Sequence, residues 1–126
     1  MDGAGLAKMK TLDEAMLLLQ RIHGLVEMYA VAVKNGQPSA PLVMNIRRTF
    51  PTLSENLKTQ FGMISDQVMQ VQVASTRGSS EAIRIRTLRE GVAQIKQALE
   101  IANAQTKDKH TVKDENATDQ PSGGAS

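Results

Sequence analysis

His23 and Glu27 stand four residues apart, the spacing that sets two side chains on one face of a helix. An imidazole and a carboxylate so placed could share a metal ion. Two ligands are too few to hold one, and no second His/acid pair accompanies them at ligand spacing, so no metal is expected. The same imidazole could accept a phosphoryl group. The local sequence His23-Gly24-Leu25-Val26-Glu27 gives it a small neighbour but no nearby lysine, and an acid at 27 would repel the incoming charge.

Arginines are the second group with chemistry to offer. Arg84, Arg86 and Arg89 follow Arg77 closely, and Arg86 and Arg89 share a helix face. These three are the candidate anion or nucleic-acid contacts. Arg47-Arg48 is a separate basic spot, expected at the opposite end of the fold. The formal net charge is only +2, from 15 Lys+Arg against 13 Asp+Glu. With no Trp, one Tyr and two Phe there is no aromatic set on which bases could stack. A nucleic-acid-associated regulatory protein is therefore the second reading and not the first.

Catalytic machinery is missing from the pattern. There is no cysteine, no G-x-S-x-G elbow and no phosphate-binding glycine loop. Adjacent Asp13 and Glu14 diverge on a helix and are better used at its start. A non-enzymatic chain without a cofactor is expected. No basic leader followed by an apolar core is present, and no uninterrupted apolar run reaches bilayer length, so a cytoplasmic protein without a membrane segment is expected.

The elements that must position these residues are helices. Ile85, Leu88, Val92, Ile95, Leu99 and Ala102 repeat at alternating intervals of three and four, the seam of one helix packed along another. Thr11-Leu12-Asp13-Glu14 reads as a capping box opening a helix that Gly36 ends. Ser39 can cap a short helix with Leu42, Val43 and Ile46, and Pro51 predicts a break or kink beside Phe50. Thr52-Leu53-Ser54-Glu55 repeats the box and opens a helix to about Arg77, with Leu53, Leu57, Phe61, Ile64, Val68 and Val71 inward. Gly78-Ser79-Ser80-Glu81 is a stop followed by a start. The last helix is expected to run to about Thr106, and the polar stretch 107–126 to be disordered.

The fold expected is all-α: an antiparallel up-down-up three-helix bundle over 11–106, with a short extra helix between its first two members and a flexible leader at 1–10. The first helix carries two apolar stripes, where one suffices for a two-helix contact. The second stripe, Leu18, Ile22, Leu25 and Tyr29, is the expected partner-binding surface. Met28, Met63 and Met69 lie beside the seams and add apolar surface beyond what three helices hide. The function expected is a helical protein–protein interaction or scaffold/adaptor module. It would form a homo-oligomer or dock a partner helix on that stripe.

Overall fold

The structure, a computed structural model, describes residues 2–77 and 80–119, with side chains to Lys109. It is all-helical, with four helices and no strand among the described residues: α1 (Gly3–Lys34), α2 (Ala40–Leu57), α3 (Gly62–Thr76) and α4 (Glu81–Asp119). Their core is aliphatic, built on Leu19, Ile22, Leu53, Leu57, Leu88, Ile95 and Leu99, with Tyr29 and Phe50 its only rings.

Three long helices and a short extra one were expected, and four helices stand, but with other bounds: the long helix read over 52–77 is two, and the short helix before it is the first part of α2. Residues 58–61 turn the chain back on itself. Ser54 and Ser65 lie side by side, their hydroxyls 2.7 Å apart, and the Gln72 side-chain amide reaches the Arg47 carbonyl. A continuous helix would hold positions eleven apart at about 16 Å. The reversal was hidden because Leu57, Phe61 and Ile64 keep the inward phase straight through it. The signals against a continuous helix are the polar run Lys58-Thr59-Gln60 and the glycine at 62. Cross-helix contacts place every neighbour antiparallel: Glu14 with Asn56, Ser54 with Ser65, Ser75 with Arg84, and Glu27 with Arg89. Each helix packs on two others, α1 on α2 and α4, and α3 on α2 and α4.

Pro51 does not break α2, which runs through it from Ala40 to Leu57. A proline lacks the N–H that would bond the carbonyl four residues back. That carbonyl belongs to Arg47, and Gln72 Nε2 donates to it from α3 at 3.1 Å. Thr49 Oγ1 donates to the Asn45 carbonyl at 2.7 Å in the same stretch. The orphaned acceptor is met from outside the helix, so α2 stays whole.

The first ten residues are not a leader. Asp2 caps α1 by accepting from the Gly5 N–H at 2.8 Å; Gly5 is buried, and Met9 packs on the core. The capping-box residues Thr11 and Glu14 therefore sit inside the helix, where they take hydrogen bonds from Gln60 and Asn56. At its far end α1 stops as expected. Gly36 takes φ +67, Gln37 N–H donates to the Ala32 carbonyl and Gly36 N–H to that of Val33, a Schellman closure. Ser80 accepts from the Ile83 N–H and starts α4; Gly78 and Ser79 lie outside the described residues. Among the residues of α4 whose side chains are described, Thr106 is the last one buried, Lys107 to Lys109 are exposed, and the helix continues to Asp119. The remainder of the polar tail, 120–126, lies outside the described residues.

Small residues bring α3 close to both partners. The buried Ser54–Ser65 pair joins it to α2, with Ser65 Oγ donating to the Ser54 carbonyl at 2.8 Å. On the other side Gly91 faces Val71, and a Cβ at 91 would run into both Val71 methyl carbons. Gly91→Ala should therefore destabilise the fold by about 1–3 kcal/mol through overpacking, outweighing a helix-propensity gain of about 1 kcal/mol. Urea unfolding is the check, and a Gly91→Ala/Val71→Ala double variant should be more stable than additivity of the singles allows.

Candidate functional site

The expected partner stripe on α1 is part of the core. Ile22 and Tyr29 are fully buried, and Leu18 and Leu25 are half-buried against the core cluster. The apolar face of α1 is wide because it serves α2 and α4 at once.

Tyr29 also anchors a polar clamp across one end of the bundle. Its hydroxyl donates to Glu81 Oε2 at 3.3 Å and accepts from Arg84 at 3.1 Å. Ser39, just before α2, donates to the same Glu81 oxygen at 3.0 Å, and Arg84 Nε donates to the Ser75 carbonyl of α3 at 3.3 Å. The network joins α1, α3 and α4 with the residue that precedes α2. The phenol needs it, since a buried hydroxyl without partners is costly.

The clamp and a second contact occupy two of the three candidate arginines. Arg84 is half-buried in the clamp. Arg89 forks onto Glu27 through two hydrogen bonds of 2.9 and 2.7 Å. Arg86 alone of the three is exposed with no partner among the described residues. Arg47 does not lie at the far end either. The chain reversal brings it level with Gln72, in the half of the bundle that holds the start of α4.

The Arg89 fork holds the Glu27 carboxyl below the ordinary value of 4.5, first through the hydrogen bond and then through charge, with His23 adding a smaller pull the same way. Burial opposes the shift. Both Glu27 oxygens are engaged, so Glu27 and His23 do not form an open chelating pair. No group of three or more His, Cys, Asp or Glu side chains stands together among the described residues. His23 itself is exposed.

The outward face of α1 carries exposed apolar side chains beyond the expected stripe, Met28 among them as the sequence suggested. Leu6, Leu17, Met28 and Val31 are 60%, 67%, 57% and 54% exposed. Leu17, Gly24, Met28 and Val31 follow one line along the helix at helical spacing. Gly24 is open, with nothing within 4 Å of where a Cβ would stand. An 18-residue window of α1 has mean hydropathy 1.3, and 28% of it is buried inside the bundle. By length and composition α1 would thus be able to cross a membrane, contrary to the expectation from uninterrupted runs, although core helices of soluble bundles share this property. Leu17 and Met28 stand eleven apart with Arg21 and Glu27 among the residues between them, so the sequence named them as surplus apolar surface but not as a stripe of their own.

Comparison of the chain with protein-family models, with curated proteins and with solved structures finds no match to any of them.

Tyr29→Phe should cost about 1 kcal/mol by removing the hydroxyl from the clamp, read as a lower thermal midpoint with the oligomeric state unchanged. The Glu27 shift predicts a pH effect. A carboxyl depressed in the folded state stabilises fully above its unfolded value and loses that contribution as pH falls through the folded one. The carboxyl carbon resonance of Glu27 should titrate below 4.5, and Arg89→Gln should return its midpoint toward that value. The associated stability change should be modest, because the two side chains are 51% and 41% exposed.

Proposed function

We propose that this chain is a non-enzymatic helical interaction module that pairs with a second copy of itself through the outward face of α1. The observation that carries the reading is the line Leu17–Gly24–Met28–Val31, left uncovered after α1 has filled the core. Leu17, Met28 and Val31 are each more than half exposed around the open Gly24, with Gln20 and Arg21 standing between 17 and 24, and exposed apolar side chains gathered on one helix face mark an interaction surface.

A second copy is the favoured occupant because the strip is self-complementary. Leu17 and Val31 lie seven positions on either side of Gly24. An antiparallel twofold pairing centred on Gly24 sets Leu17 of one copy against Val31 of the other at both ends. It also lets the two backbones approach where no side chain intervenes. Nothing comparable favours nucleic acid, since Arg84 and Arg89 are engaged within the fold.

Sedimentation equilibrium should find a dimer for the wild-type chain and a monomer for Leu17→Glu/Met28→Glu, with both retaining full helicity. Because the chain has no cysteine, Gly24→Cys offers an independent check. Mild oxidation should link two copies through position 24, whereas Glu90→Cys, at an exposed position of α4 beside α3, should not link them. A wild-type chain that stays monomeric at high concentration rules the proposal out.

A further inference from the structure

A hollow of about 420 Å³ opens between α1 and α4, on a different face from the strip that would pair two copies. Its floor is apolar: buried Leu19 and Val92, with Met16 half-buried beside them. It exists because α4 presents Ala93 toward α1 at this level, between the longer Arg89 and Lys96. Glu27 draws Arg89 to one end, where their ion pair of 2.7 Å forms a wall.

The charges around the hollow are unbalanced. Arg89 and Glu27 cancel in a two-bond pair. Lys96 and His23 remain on the rim, both exposed, and neither makes a hydrogen bond or ion pair among the described residues. Lys96 carries a full positive charge, and the imidazole offers an N–H donor in either protonation state. An apolar floor under two donors without a hydrogen-bond partner among the described residues, one of them cationic, fits a ligand with an apolar body and one anionic head. The volume lies in the range of ordinary small-molecule sites.

We propose that this hollow binds a small amphipathic anion, its apolar body on Leu19, Val92 and Met16 and its carboxylate or phosphate head between Lys96 and His23. The Glu27–Arg89 wall sets the length of the site and admits no second anion, because the guanidinium fork is already taken. Ala93 is the specificity-determining position, since any larger side chain there occupies the space of the ligand.

Octanoate, phenyl phosphate and neutral octanol can each be titrated into the labelled protein while amide resonances are followed. Octanoate should shift most the amides of Met16, Leu19, Gln20, His23, Val92, Ala93 and Lys96, and octanol should bind about tenfold more weakly or worse. Phenyl phosphate against octanoate separates a phosphate head from a carboxylate one. Ala93→Phe, at an exposed position, should abolish the shifts while leaving helicity unchanged, and Lys96→Gln should weaken octanoate by about tenfold without affecting octanol. Leu17→Glu, which tests pairing of two copies, should leave octanoate binding as it is, so the two proposals fail separately. Shifts that map to Leu17, Met28 and Val31 instead, octanol binding equal to octanoate, or retained binding in Ala93→Phe would each overturn the assignment.

Discussion

The first helix has more apolar circumference than one neighbour can cover, and the rest of the architecture answers that constraint. Leu12, Ala15, Leu19, Ile22, Val26 and Tyr29 run down its inner side and are almost wholly withdrawn from water. A helix buried along so broad an arc needs two flanking partners. α4 takes one flank with a single long seam. α2 takes the other, and α3 then closes the gap between α2 and α4. Burial of side chains of this size contributes about 1.5–3 kcal/mol each, which is why the packing of α1 dominates the choice of fold.

Much of this was legible in the residue pattern, and the failures have identifiable causes. The positions at 85, 88, 92, 95, 99 and 102 all face inward, as do 53, 57, 68 and 71. Periodicity reports which side of a segment is buried, so it performed well there. It carries no information on whether the axis continues or doubles back, and the reversal at 58–61 preserves the phase on both sides. The stop at Gly36 was readable because a left-handed residue has a chemical signature. The start at Asp2 was missed because the box at Thr11–Glu14 offered a stronger-looking one. Those side chains went instead to Gln60 and Asn56.

The candidate site was less legible, for a related reason. Tyr29 and Arg84 were expected on partner surfaces, since large or charged side chains on helices often reach outward. In the fold they satisfy each other across an end of the bundle. Their partnership joins positions 55 apart and depends on the helix count, which local spacing does not encode. Pro51 teaches the same lesson. It reads as a helix breaker until Gln72, on another helix, is seen to supply the missing donor.

The seams differ greatly in how much chain they enclose. Ser54 meets Ser65 across eleven positions, whereas Glu27 meets Arg89 across 62. For a flexible chain, closing the larger loop costs roughly 1.5 kcal/mol more entropy than closing the smaller. The α2–α3 hairpin is therefore the natural folding seed, already complete with its own proline repair, and the α1–α4 seam is the last to shut.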